Sequence, residues 1–160
     1  MAPKLARVEP VAELEDSAPV DLASLAGIVG YPIRRAQMAV FEDFGRRFAP
    51  LDLTPAQYST LVAIGDNPGR KQSDIGGALG IQRPNFVAMM DELERRGLAE
   101  RTRSGADRRA YALALTLAGE ALLLRARAAQ AEQEAAIDRA LGSNERRVLI
   151  GMLNRLAKLT

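Results

Sequence analysis

The side chains with the clearest chemistry in this 160-residue chain are arginines, which supply 19 of its 22 basic groups. Residues 70–115 carry nine basic and six acidic groups, although the net charge of the whole chain is only +2. A guanidinium group binds phosphate oxygens and the guanine edge through paired hydrogen bonds. This local excess of arginine indicates nucleic acid as a partner, although an arginine-rich coding bias would give the same composition.

Several other kinds of chemistry are excluded by composition, because the chain contains no cysteine and no histidine. Disulfides, thiol nucleophiles, thiol-based oxidation sensing, histidine general bases and the two commonest zinc ligands are therefore absent. The carboxylates show no regular metal-ligand spacing, so we expect no metal, no cofactor and no enzymatic activity. No apolar run approaches the ~20 residues of a membrane helix, and the N-terminus does not resemble a signal peptide. We therefore expect a cytoplasmic protein without a membrane partner.

The length predicts a single domain over residues 21–160, since one domain takes roughly 150 residues. Residues 1–20 contain three prolines and a run of acids, which is typical of an extended arm. Helical spacing of apolar residues predicts a short helix capped by Asp21 and a helix from Pro32 to Pro50. The segment Thr54-Pro55-Ala56-Gln57 is a capping-box helix start.

The C-terminal part is predicted to hold two further helices. Thr116 caps a long helix that reaches about Leu141, and Ser143 caps the last helix after Gly142. In the last helix the apolar residues are spaced as in a coiled coil and need a partner surface, namely Leu149, Met152, Leu156 and Leu159. We therefore expect residues 21–49 and 117–159 to form the helical base of a homodimer.

The middle of the chain has the order of a winged helix-turn-helix. A short helix at about residues 71–79 is followed by Gly80, which is placed to end it in a left-handed conformation. A second helix at about 83–96 carries Phe86, Met89, Met90 and Leu93 on one stripe. Two extended runs, 98–103 and 110–115, then form a hairpin with a basic tip. The predicted fold class is therefore mainly α with a small β-hairpin wing, the winged lobe covering about residues 53–115.

Four segments carry a resemblance to a known family: "LTPAQYSTL" (53–61), "SDIGGALGI" (73–81), "MMDELERRGLAER" (89–101) and "DRRAYALALTLAGEALL" (107–123). Over about residues 31–159 the chain resembles the multiple-antibiotic-resistance regulator (MarR) family of bacterial transcription factors. It departs from that pattern at Lys71, where a Ser or Thr cap is usual, at Gly76 and Gly77, and at the wing start, 104–106. Since each helical glycine costs up to ~1 kcal/mol relative to alanine, the first motif helix must depend on packing.

The outward positions of the second helix are candidates for contact with base edges in the major groove. Gln82, Arg83 and Asn85 are polar, and Val87 and Ala88 can contact thymine methyl groups. An ordinary solvated helix face is the alternative, but it leaves the outward-facing small apolar residues unexplained.

The wing and the first motif helix supply the remaining DNA candidates. The family resemblance makes Arg109 the minor-groove finger and Asp107 the carboxylate that orients it, with Arg108 on phosphate. Lys71, Gln72 and Ser73 are placed to bond phosphate from the first motif helix. The alternative for all of these residues is a solvated surface.

The aromatic residues Phe41, Phe44, Phe48 and Tyr58 are most simply core residues. A second interpretation comes from the resemblance, because ligands of this family usually bind between the helical base and the DNA-binding lobe. Arg34 and Arg35 would then pair with the carboxylate of a phenolic acid or the phosphates of a CoA thioester, with Met38, Phe41, Phe44 and Tyr58 around the ring. The two arginines are equally suited to interface salt bridges.

Together these observations predict a homodimeric, ligand-responsive transcriptional regulator, a repressor that binds an inverted-repeat DNA operator and is released by a small aromatic acid or its CoA thioester. The alternative is a winged-helix adaptor that binds protein and has no specific affinity for DNA. Such an adaptor would show no salt-dependent DNA binding.

Overall fold

The structure is a computed structural model that describes residues 20–103 and 111–159. The chain divides into two compact units, Met1–Met38 and Ala39–Thr160, and helix α2 spans the boundary. The elements run in the order α1 Ala23–Ala26, α2 Gly30–Phe48, α3 Pro55–Asp66, α4 Gln72–Ala78, α5 Arg83–Arg95, β1 Ala99–Arg103, β2 Tyr111–Leu115, α6 Leu117–Leu141 and α7 Ser143–Leu156. The predicted class, mainly α with a small hairpin, is confirmed. The predicted domain limits stay a prediction.

The described part of the first unit holds α1 and the first residues of α2. The prediction that Asp21 caps this helix is off by one residue, because Leu22 occupies the cap position. The Asp21 carboxylate still accepts a hydrogen bond from the backbone N–H of Ala23, the first residue of α1, at 2.8 Å. Helix α2 begins at Gly30, two residues before the predicted start at Pro32. Proline is accepted there because the first turn of a helix leaves its N–H groups without helical partners.

Helix α3 in the second unit begins with the predicted capping box. The Gln57 N–H donates to the Thr54 hydroxyl at 3.2 Å, and the Thr54 N–H donates to the Gln57 side-chain oxygen at 2.9 Å. The segment Ala49–Leu51 forms a short 3-10 turn between α2 and α3. Leu61 and Ile64 of α3 are fully buried and form the centre of the core.

Helices α4 and α5 form the helix-turn-helix, and Gly80 in the turn has φ +65°, as predicted. Gly76 of α4 is buried, and a Cβ added there would lie 3.1 Å from Cγ of Phe86. The small residue therefore allows α4 to approach the ring that anchors α5. This contact explains the glycine that helix propensity alone disfavours at this position.

The wing is an antiparallel hairpin in which Ala99 pairs with Leu115 and Arg103 with Tyr111. Residues 69–71 add a short third segment that the sequence analysis did not predict. The Gly69 N–H donates to the Leu113 carbonyl, and the Leu113 N–H donates to the Arg70 carbonyl, both at 2.9 Å. These hydrogen bonds connect the segment that precedes α4 to β2.

Thr116 caps α6 as predicted, since its hydroxyl accepts a hydrogen bond from the Gly119 N–H at 3.1 Å. The prediction that Ser143 caps α7 is wrong, because Ser143 is already the first helical residue and Gly142 occupies the cap position. Gly142 is the single residue between α6 and α7, and its φ of +88° is a backbone conformation that favours glycine. Helix α7 has no buried residue within the described part of the chain.

Candidate nucleic-acid interface

Helix α5 has two distinct faces, and its outer face is the candidate recognition surface. Phe86, Met90 and Leu93 are buried, and Met90 and Leu93 have no exposed surface. The outward residues predicted to contact bases are all exposed, namely Gln82, Arg83, Asn85, Val87 and Ala88. Val87 is 37% exposed although it is apolar. The structure thus presents polar and small apolar groups together, as major-groove contact requires.

The three candidates at the start of α4 differ in what they already contact. Lys71 is exposed, and its backbone bridges to Ala112 of β2. The Ser73 hydroxyl donates to the adjacent Asp74 carboxylate at 3.2 Å. The Gln72 side chain is half-buried, and its oxygen accepts a hydrogen bond from Arg101 at 2.7 Å. Lys71 is therefore the freest of the three to reach phosphate, and Gln72 also has a structural role.

The candidates at the tip of the wing, Asp107, Arg108 and Arg109, lie outside the described residues. Their assignment to the minor groove and to phosphate stays a prediction. Strands β1 and β2, which lead to and from the tip, are paired over five positions.

Arg101 of β1 is the residue that the sequence analysis missed. Its guanidinium donates to Gln72 of α4, to the carboxylates of Asp91 and Glu94, and to the Val87 carbonyl at 3.1 Å. The backbone N–H of Arg101 donates to Glu94 at 2.8 Å. Only part of the signal is local: Asp91 and Glu94 precede Arg101 by 10 and 7 positions, whereas Gln72 lies 29 positions away.

Three exposed cations lie where α4 and α5 begin. Arg70, Lys71 and Arg83 are exposed, and within residues 20–103 and 111–159 none of them forms an ion pair. Arg96 is different, because it donates to the Asp52 carbonyl at 2.7 Å and so fixes the end of α5 to the segment before α3. Exposed cations at the start of α4 and α5 are suited to the DNA backbone.

The candidate effector residues fall into two groups. Arg34, Arg35 and Met38 are exposed in the first unit. In the second unit Phe44 is 5% exposed and stacks on Phe48 with a centroid distance of 3.7 Å, whereas Phe41 is 51% exposed. The interpretation of Phe41 as a core residue is therefore wrong: its position on α2 leaves it outside the stacked aromatic cluster.

Tyr58 packs edge-on against Phe48, with ring centroids 5.1 Å apart. Burial raises the pKa of the Tyr58 hydroxyl, so the phenol is neutral at physiological pH. A neutral, half-buried hydroxyl can donate to a carboxylate or a phenol oxygen. Tyr58 is thus chemically suited to an aromatic ligand, although its ring already contributes to the core.

A cleft of about 430 Å³ opens where α3, β2 and α6 meet, and the sequence analysis did not find it. Its floor includes Ile64, Leu115 and Leu123, and Arg127 pairs with Asp66 across it at 2.5 Å. Glu120 adds a second carboxylate to the lining. With two carboxylates and one guanidinium, this cleft does not favour an anionic ligand.

The paired helices with an exposed second helix and an adjoining hairpin are those of a winged-helix DNA-binding protein. Comparison with known proteins shows to which family within this class the chain belongs. The family profile described as MarR family matches residues 51–110. A transcriptional regulatory protein named for the hcr operon of Thauera aromatica is 37% identical over 134 residues, which cover 83% of this chain and 81% of the relative. The chain therefore belongs to the MarR family and is a transcriptional regulator.

Two solved structures of the transcriptional repressor CouR share this fold. The form bound to a 23-mer DNA duplex is 46% identical, with a TM-score of 0.85, and the match covers 88% of this chain and 100% of that one. The form bound to p-coumaroyl-CoA is 44% identical, with a TM-score of 0.81, and the match covers 88% of this chain and 99% of that one. None of the helices in the described part of this chain is long and apolar enough to cross a membrane.

Proposed function

We propose that this protein is a homodimeric, ligand-responsive repressor that binds an inverted-repeat DNA operator and is released by an aromatic acid or its CoA thioester. The observation that carries the DNA-binding part is the outer face of α5. Arg83 and Asn85 are exposed beside Val87 and Ala88, a combination that fits base edges and thymine methyl groups. The binding of CouR to a DNA duplex supports the same assignment for this chain.

The dimer is supported by the apolar surface of α7. Its large apolar side chains are each 38–48% exposed, namely Val148, Leu149, Ile150, Met152, Leu153 and Leu156. A continuous exposed apolar face of this kind is typical of a protein interface. A second copy would cover it and place two α5 helices on one side of the duplex, about 34 Å apart along it.

The effector part is supported by CouR, whose bound ligand is p-coumaroyl-CoA, an aromatic acid in thioester linkage to CoA. In this chain Arg34 and Arg35 are the candidates for the anionic part of such a ligand. Phe41, Phe44, Met38 and Tyr58 are the candidates for its ring. The ligand can release DNA only if it binds one arrangement of the two lobes more tightly than the other.

DNA binding is tested by selecting duplexes from a random library of about 30 base pairs, several times the length that one module reads, with the wild-type protein. We expect an inverted repeat, and affinity that falls as salt rises, since each phosphate contact releases counterions. The variants Arg83→Ala and Asn85→Ala should each lose about 1 to 3 kcal/mol of discrimination against a scrambled duplex. Arg95→Ala, at the other end of α5, is the matched control. Failure to select any sequence would favour the protein-binding adaptor.

The effector is tested by titrating the protein–DNA complex with p-coumaroyl-CoA, p-coumarate, benzoate and CoA alone. We expect release by the thioester or one of the acids and not by CoA alone, because the ring occupies the aromatic site. A double variant, Arg34→Ala with Arg35→Ala, should need more ligand for the same release. Equal release of wild type and double variant would remove the arginines from the mechanism, and no release by any compound would remove the effector class.

A further inference from the structure

Arg101 joins three elements of the DNA-binding lobe from one guanidinium. It lies on β1, and its donors reach Gln72 of α4 at 2.7 Å and Asp91 of α5 at 2.6 Å. It also bonds Glu94 and the backbone carbonyl of Val87 on α5. The side chain is only 13% exposed. The strand, the first motif helix and the recognition helix therefore share one rigid connection.

We propose that Arg101 is a positioning residue, which fixes the orientation of α5 relative to α4 and the wing and so sets the discrimination between DNA sequences without touching DNA. This inference rests on the proposed function as a sequence-specific DNA binder.

The charge around Arg101 supports positioning over attraction of DNA. Its guanidinium is paired with two carboxylates, Asp91 and Glu94, so the group of three contributes no net positive charge. It is also largely buried, whereas Arg70, Lys71 and Arg83 are exposed. Its effect on DNA must therefore pass through the position of the helix that it holds.

The geometry shows how much such a connection matters for base contacts. Arg83 and Asp91 are eight residues apart on α5, which corresponds to about 12 Å at the rise of an α-helix. A tilt of about 10° at Asp91 would therefore move the Arg83 end by roughly 2 Å. Direct hydrogen bonds tolerate only a few tenths of an ångström, because their distances lie at about 2.7–3.2 Å. Phosphate contacts by long, exposed side chains tolerate such a shift far better.

Two variants separate positioning from charge. Arg101→Lys keeps the positive charge, but the single ammonium group of a flexible lysine side chain cannot replace the four hydrogen bonds of the planar guanidinium group. Asp91→Asn acts on an exposed side chain of α5 that is 62% accessible and keeps its size, so we expect this variant to fold. The matched control is Arg95→Lys, because Arg95 also pairs with an acid of α5, Glu92, but is 72% exposed and reaches no other element in the described part of the chain.

The experiment measures the affinity of each full-length variant for the duplex selected by wild type and for a scrambled duplex of the same composition, with folding checked by circular dichroism. We expect Arg101→Lys to lower the ratio of the two affinities at least tenfold, mainly through weaker binding to the selected duplex. Asp91→Asn should lower the ratio about threefold while binding the scrambled duplex as tightly as wild type or slightly more tightly. Arg95→Lys should leave the ratio unchanged.

The outcomes are distinguishable. Equal changes in affinity for both duplexes would show that Arg101 does not affect discrimination between sequences and would overturn the inference, as would wild-type ratios in both variants. If Arg101→Lys does not fold, the ratio for Asp91→Asn decides alone. If wild type itself does not distinguish the two duplexes, the proposed function fails, and this inference fails with it.

Discussion

Replacement of Gly119 by alanine is expected to destabilise the protein far more than other glycine substitutions in its helices. Gly119 is the third residue of α6, and a Cβ added there would lie 1.8 Å from the Leu98 carbonyl oxygen. Real Cβ atoms essentially never come within 3.0 Å of such a neighbour, so the start of α6 would have to move away from the hairpin by more than an ångström. The neighbouring atom is backbone and cannot rotate out of the way.

This movement would break the hydrogen bonds that join Thr116 to the hairpin and to α6. The Thr116 N–H donates to the Leu98 carbonyl at 3.2 Å, and the Thr116 hydroxyl bonds the Gly97 carbonyl at 2.6 Å and the Gly119 N–H at 3.1 Å. Overpacking costs about 1 to 3 kcal/mol, and loss of the cap and of the backbone hydrogen bond costs about 1 kcal/mol each, so the total is roughly 3 to 5 kcal/mol. For a chain of this length that corresponds to a decrease in Tm of about 10 °C.

Thermal unfolding of Gly119→Ala is best compared with that of Gly77→Ala at the same protein concentration. Gly77 lies in α4 with no atom within 4 Å of an added Cβ, so alanine there should gain up to ~1 kcal/mol through helix propensity and raise Tm slightly. We therefore expect Tm to fall in Gly119→Ala and to rise in Gly77→Ala. If Gly119→Ala unfolds at the wild-type temperature, α6 does not approach the Leu98 carbonyl closely enough to exclude a Cβ at position 119.

Three further predictions concern the base and the wing. Met152→Glu places a charge on the apolar face of α7 and should convert the dimer to monomer in light scattering; an unchanged mass would place the interface elsewhere. Arg109→Ala should weaken binding to the selected duplex by a few kcal/mol at most and reduce the salt slope by about one, with the dimer intact; unchanged affinity would remove the wing from the mechanism. The hydrogen bond from Arg47 holds the pKa of Asp43 below its usual value, so the stabilisation from this ion pair is present above about pH 4 and is lost as pH falls further. Asp43→Asn should therefore make Tm less dependent on pH in this acid range. An unchanged dependence of Tm on acid pH would exclude the Arg47–Asp43 pair as its cause.

Local signals in the sequence were sufficient for the winged lobe. The capping box at Thr54, the left-handed Gly80 and the hairpin of β1 and β2 each depend on a few neighbouring residues, and the structure confirms each of them. The third wing segment at 69–71 was missed, because two paired residues produce no periodic pattern. Which segment they pair with depends on the tertiary fold alone.

One failure is local, and the others arise where the structure is decided by distant contacts. Ser143 has the right residue type for a cap, but the positive φ of Gly142 begins the helix one position earlier. Arg101 appears in the sequence as one charge among many, and its partners lie up to 29 positions away. The cleft beside Asp66 and Arg127 joins residues 61 positions apart, so no local pattern could indicate it.

The connections of the lobe limit where an effector can act. Inside the lobe, α4 and α5 are held together by the Gly76–Phe86 contact and by Arg101, so the helix-turn-helix should move as one body. The lobe joins α6 through the Thr116 cap and through Gly65, where an added Cβ would lie 2.8 Å from Leu123. The lobe also joins the base where Tyr58 of α3 packs against Phe44 and Phe48 of α2, and Tyr58 and Phe44 are both proposed to contact the ring of the effector. A ligand that changes the separation of two lobes therefore has to act at one of these joints between the lobe and the base. Substitutions that uncouple ligand binding from DNA release are accordingly expected near Tyr58, Gly65 and Thr116 and not within α4 or α5.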